Sequence, residues 1–259
     1  MLSDWTHATA ESLLETAALN GGVNIDNGLI NGTNSFGNNT HPRFELIFDK
    51  KARDPSKPTK YRLRLINTSM DTHYKVALDS HTMKVIANDF VPIQPFDTEW
   101  LSIGIGQRYD VIITANQTSG NYWFRANVTN FCGQHSTDFV DIRAIVRYDG
   151  SSKAAPTSTY TGFAFNDFCE DMPMESLVPV LSLTPGSSTY NEQYELLQDS
   201  TVDPNNWLQW IITPNKTSYS SPWGYPSKYL QIFQLSTHGM ASRQSKTNYE
   251  CSLAASHPQ

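Results

Sequence analysis

Residues 71–90, DTHYKVALDSHTMKVIANDF, gather the side chains that ligate metals and move protons: His73 and His81, with Asp71, Asp79 and Asp89 around them. Imidazole nitrogens and carboxylate oxygens at the ends of a strand-turn-strand unit could share a divalent metal. The spacing argues against it, because a metal held by two histidines ordinarily takes them from a close-set His-x-His or His-x-x-x-His pair. The simpler expectation is a β-hairpin with Asp79, Ser80 and His81 at its turn. His73 then starts the first strand, and Tyr74, Val76 and Leu78 face a core.

A second constellation is Cys132-Gly133-Gln134-His135, between NYWFRANV (121–128) and DIRAIVRY (141–148). A blue-copper site places a thiolate and an imidazole in such a loop, with a weak axial methionine soon after the histidine. Here Ser136 to Val140 follow, and no methionine comes before Met172, so no copper is expected at Cys132. Three cysteines, Cys132, Cys169 and Cys251, fit either one disulfide and one thiol or three thiols. A Cys132–Cys169 bond would close a loop of about 37 residues, worth about 3–4 kcal/mol in the chain-entropy picture. Gly104-Ile105-Gly106 precedes a strand and reads as a turn. No Gly-x-Ser-x-Gly elbow, zinc-type cysteine pair or HExxH is present, so no self-contained catalytic machinery is expected.

The elements that must position these residues are mostly strands. Between Asn27 and Tyr148, apolar and polar residues alternate with period two over 61–67, 73–79, 82–89, 99–106, 108–115, 121–128 and 141–148. Turn residues separate them at 79–81, 92–97, 104–107, 117–120 and 129–138. This pattern predicts an all-β Greek-key sandwich or barrel over residues 1–150. One short helix is expected over 9–19, with Thr9 as N-cap and Gly21-Gly22 as its stop. Residues 151–195, opening with GSSKAAPTSTY, read as a linker. Residues 196–259 carry pieces of an incomplete second β unit (NNWLQWIIT, KYLQIF), and the polar tail after Phe233 is expected to be poorly ordered.

Composition narrows the partners. The 259 residues are 39% hydrophobic, enough for a sizeable core. A net charge of −6 without a Lys/Arg cluster argues against nucleic acid and against an anionic membrane surface. No apolar run approaches the ~18 residues of a membrane span, and the opening MLSDWTHATAESLLE lacks the pattern of an export signal. Asn-x-Ser/Thr sequons nevertheless stand at Asn31, Asn38, Asn67, Asn116, Asn127 and Asn215. About three or four would arise by chance, so the excess points modestly to a secreted glycoprotein.

Four motifs occur in a meaningful order: SDWTH (3–7), GLINGTN (28–34), YRLRLINTSMDTHYKVALDSHTMKVIANDFVPIQPF (61–96) and GQRYDVIITANQTSGNYWFRAN (106–127). Together they resemble the second, plastocyanin-like cupredoxin domain of the fungal laccases, which are secreted multicopper oxidases. LVPVLSL, NNWLQWIIT and PWGYPSKYLQIF resemble the entry into that family's third domain. The resemblance implies copper in the intact family, one-electron oxidation of phenolic small molecules and reduction of O2 to water. It also implies that the second domain binds no copper, packs against the first and third cupredoxin domains, and forms one wall of the phenol pocket. Asp89 in VIANDFVPI matches the carboxylate that accepts the phenolic proton, and Cys132 and Cys169 match a disulfide to the linker. The family's copper ligands come as His-x-His pairs and a His-Cys-His run, and none of the histidines at 7, 41, 73, 81, 135, 238 and 257 forms a His-x-His. The expectation is therefore a truncated laccase-like chain with no cofactor of its own, inactive alone. The alternative is a secreted, non-catalytic β-sandwich that binds a partner through exposed apolar faces.

Overall fold

The computed structural model describes residues 1–9, 11–13, 24–37, 41–49, 56–128, 141–160, 170–184 and 186, with the backbone of strands at 193–199, 209–214, 230–233 and 249–252. It divides into two compact units, Met1–His7 with Asn24–Ser182, and Ala8–Val23 with Leu183–Gln259.

In the first unit the strands are β1 (Leu2–Trp5), β2 (Asn27–Ile30), β3 (Glu45–Phe48), β4 (Lys60–Ile66), β5 (Tyr74–Leu78), β6 (Met83–Asn88), β7 (Val91–Thr98), β8 (Trp100–Ile103), β9 (Arg108–Thr114), β10 (Asn121–Val128) and β11 (Arg143–Tyr148). They form one sheet in the order β3-β11-β10-β5-β8, another in the order β4-β9-β6-β7, and a β1-β2 ribbon. Only β3 and β11 pair in parallel; the other ladders of the two sheets are antiparallel. Period-two alternation sends Tyr74, Val76 and Leu78, Leu101 and Ile103, and Phe124 and Ala126 inward from the first sheet. Met83, Val85, Tyr109, Val111 and Ile113 meet them from the second. Each such large side chain contributes about 1.5–3 kcal/mol by leaving water. The all-β sandwich expected from the alternation is what forms.

Two expectations are corrected. Residues 79–82 are not a hairpin turn, because β5 and β6 lie in different sheets. The segment is an arch over the end of the core, with Ser80 at φ 62°. Every residue of β5 is buried, since β10 and β8 flank it and both its faces are covered. Residues 92–97 are not a turn either, but most of β7. Pro92 and Pro95 give no N–H to a ladder and so conceal the strand signal. They are tolerated because β7 is the last strand of its sheet and its register with β6 slips between Val85 and Ala87.

The segments after β11 lie against this unit. Asn121 and Arg147 donate to the carbonyls of Ser152 and Ala154. Ser102 donates to the Glu170 carbonyl, and Ile93 bridges to Pro179. Beside that bridge, Gln94 N–H donates to Val178 O (2.7 Å) and Val180 N–H to Pro92 O (2.9 Å). Residues 178–180 thus occupy the edge that β7 would otherwise leave open.

In the second unit Thr9 caps a helical turn, its Oγ1 accepting from Ser12 N–H and its carbonyl from Leu13 N–H. The rest of the helix expected to residue 19 lies outside the described residues. Strands β12 (Gln193–Asp199), β13 (Gln209–Pro214), β14 (Leu230–Phe233) and β15 (Tyr249–Ser252) form an antiparallel sheet ordered β14-β13-β12-β15. β15 falls in the tail expected to be unordered; it pairs with β12 from Gln193 to Leu196.

Candidate functional site

Asp89 and Phe90 are the two central residues of the turn joining β6 to β7, between the paired Asn88 and Val91. Both have positive φ, 42° and 71°, the geometry of a type I′ hairpin turn. Aspartate tolerates that region. A bulky phenylalanine there is strained, a conformation that the surrounding structure must impose.

The turn is fixed from beneath by β9. Asp89 N–H donates to Arg108 O (2.8 Å), and Arg108 N–H donates back to Asp89 Oδ1 (2.8 Å). The Arg108 guanidinium lies 4.4 Å from the Phe90 ring centre and donates through Nε to Asp110 Oδ1 (3.0 Å). Burial works against the Asp110 carboxylate, but hydrogen bonds from Arg108 and Arg62 hold it below the ordinary carboxylate range. Asp89 therefore presents one carboxylate edge outward from a rigid base. Apolar side chains that the fold leaves in solvent follow along this edge: Phe90 is 79% exposed, Val91 is next to it, and Val178, Val180 and Leu181 lie on the segment that pairs with β7 at Pro92 and Gln94. A carboxylate at the rim of such a surface can orient an aromatic hydroxyl and take its proton.

The other carboxylates and histidines of residues 71–90 do not gather around Asp89. His73 and His81 flank opposite ends of β5. His73 Nε2 lies 2.6 Å from Ser102 Oγ, which donates to the Glu170 carbonyl. His81 bonds Asp79 O through Nδ1 and Tyr148 Oη through Nε2, each at 2.8 Å. Burial lowers the pKa of both imidazoles. Asp79 is fully buried and takes a two-pronged bond from Arg125 (2.7 and 2.8 Å) and one from Ser158 Oγ (2.7 Å). Among the described residues no three His, Cys, Asp or Glu side chains lie close enough to hold a metal ion.

Of the sequon asparagines, Asn31 and Asn116 are exposed and Asn127 is half-buried on β10. Asn67 is corrected as a glycan acceptor. It is 1% exposed, and its Nδ2 donates to the carbonyls of Thr72 (2.8 Å) and Ile103 (3.1 Å). Cys132, His135, Cys169, Asn38 and Asn215 lie outside the described residues. Phe90 and the valines of 178–180 were not singled out from sequence. The local signal for Phe90 was a two-residue Asp-Phe link between alternating strands, and that for the valines was the apolar run LVPVLSL.

The family model described as "Multicopper oxidase" matches residues 1–151. Laccase-2 of Botryotinia fuckeliana is 38% identical over 246 residues, covering 91% of this chain and 39% of that protein. Laccase-3 of the same fungus is 44% identical over 164 residues, 62% of this chain and 35% of its own length. Among solved structures, the laccase from Botrytis aclada superposes with a TM-score of 0.68 at 40% identity, over 87% of this chain and 40% of that one. The chain thus spans about two fifths of the length of these relatives.

Proposed function

The chain belongs to the multicopper oxidase family, and from that premise we propose that its first unit is the central cupredoxin domain of a laccase-like oxidase of phenols. Asp89 accepts the phenolic proton as the phenol gives up one electron, so that no phenol radical cation has to form in an apolar pocket. Phe90, Val91 and Val180 are the apolar wall against which the ring lies. The observation that carries this reading is Asp89 itself, held by Arg108 in a strained turn amid exposed apolar side chains.

The described residues do not fit a copper site. His73 and His81 are apart, and each is committed to a hydrogen bond. The electron's acceptor is therefore assigned outside them, with first and third cupredoxin domains as packing partners and O2 as the final oxidant. Alone, the chain is inactive. Secretion, a Cys132–Cys169 disulfide and glycans at Asn31, Asn38, Asn116, Asn127 and Asn215 belong to the same reading. The family match does not favour an unrelated binding module.

The test is a chimera in which residues 1–182 replace the matching segment of the Botrytis aclada laccase. Asp89→Asn should lower kcat/KM for phenols about 100-fold, while oxidation of ferrocyanide, which has no proton to lose, stays unchanged. Equal losses on both donors, or none on phenols, would refute the role of Asp89.

A further inference from the structure

Tyr148 ends β11 with its phenol inside the sandwich, 1% exposed. Its Oη accepts the Gln117 N–H (3.1 Å) and faces His81 Nε2 at 2.8 Å. The far side of the imidazole fixes the direction of that second bond. His81 Nδ1 lies against the Asp79 carbonyl, which can only accept, so Nδ1 carries the hydrogen and Nε2 offers its lone pair to the phenol. Burial lowers the pKa of His81, which keeps it a neutral base. Burial also pushes the Tyr148 phenol up to about 12, so it keeps its proton.

Other aromatic rings lead away from this pair. Tyr122 lies 5.0 Å from His81 and 5.7 Å from Tyr148, centre to centre. Phe48 lies 5.6 Å from Tyr148 and stacks on Tyr61 at 4.2 Å and 5°. Tyr61 is partly exposed. A cavity of about 200 Å³ is lined by His81 together with Ser80, Thr82, Glu99 and Tyr160. All of this is at the opposite end of β6 from Asp89.

We propose that Tyr148 is a redox-active tyrosine, with His81 as the base that receives its proton and Tyr61 as the ring through which an electron hole enters. The oxidant is a one-electron acceptor of the oxygen-radical class arriving at Tyr61. One electron passes from Tyr148 to that oxidant, the phenolic O–H bond breaks, and an N–H bond forms at His81 Nε2. The products are a neutral phenoxyl radical and an imidazolium. The imidazolium donates to the phenoxyl oxygen and to the Asp79 carbonyl, with Glu99 lining the cavity beside it. A phenolic reductant returns the electron and releases its own proton to water, while the proton on His81 Nε2 goes back to the Tyr148 oxygen. Phe48 has no proton to release and is harder to oxidise, so it bridges the two tyrosines without holding the charge. The result is a radical parked at one defined residue.

The test is flash oxidation of the 259-residue chain by ruthenium tris-bipyridine with a sacrificial quencher, followed by EPR. The expected signal is a neutral tyrosyl radical with a proton coupling that exchanges in D2O. It disappears in Tyr148→Phe and forms about tenfold more slowly in His81→Gln, which lacks the base. The exchangeable coupling is read in the unmodified chain, so it tests the hydrogen-bonded radical even if a variant fails to fold. A radical without that coupling, or one unchanged in Tyr148→Phe, overturns the proposal.

Discussion

Asp79 and Asp89 stand ten positions apart in one stretch and do different work. Asp79 is buried under Arg125 and Ser158, so Asp79→Ala leaves a half-buried guanidinium without its anion and should cost about 3–5 kcal/mol in urea unfolding. Asp89→Asn keeps an oxygen for Arg108 N–H and a side chain that accepts positive φ, so its effect on stability should stay within about 0.5 kcal/mol. His73 and His81 set a pH limit. Their ordinary pKa is 6.5 and the fold lowers both, so below 6.5 the unfolded chain binds protons that the folded chain refuses. The stability they confer is complete above 6.5 and is lost as pH falls from there through the lower folded-state values. The urea midpoint should drop across that window, less steeply in His81→Gln; a midpoint that stays level would contradict the burial of these imidazoles. Asp26, Glu45 and Asp110, held below their ordinary values of 3.8 and 4.5, add a separate loss at lower pH.

Under the proposed function, the β6–β7 hairpin sets function against stability inside one element. Replacing Asp89-Phe90 by Asn-Gly supplies the residues a type I′ turn prefers and should raise stability by about 1 kcal/mol despite losing the ring over Arg108. In the chimera the same change should abolish the preference for phenols, read as kcat/KM against ferrocyanide. Most strands were legible from sequence because one face of each is buried and alternation reports that directly, as in RYDVIIT and NYWFRANV. β7 was not, because its prolines are turn residues elsewhere and become strand residues only at a sheet edge. The sheet-crossing arch at 79–82 was not, because residues 79–81 could equally close a hairpin; the pairing of β5 with β10 and β8, and of β6 with β9 and β7, decides between the two. The close contact of 152–160 and 170–182 with the first unit was illegible because it rests on carbonyls and single side chains, which leave no periodic trace. Asp89 was legible as a residue through the family resemblance, but its strained partner Phe90 and the valines of 178–180 needed the fold.

For the whole molecule, a chain that covers 39% of a curated relative's length carries a two-sheet sandwich and the Asp89 turn, while the described residues gather no copper site. Under the proposed function phenol chemistry would be divided, with the central domain positioning the ring and taking the proton while the electron goes elsewhere. The most direct measurement is to load the purified 259-residue chain with Cu(II), then record visible absorbance and dioxygen uptake with a phenol present. The account predicts no blue band and no uptake above free Cu(II); a blue protein that consumes dioxygen as the phenol disappears would contradict it.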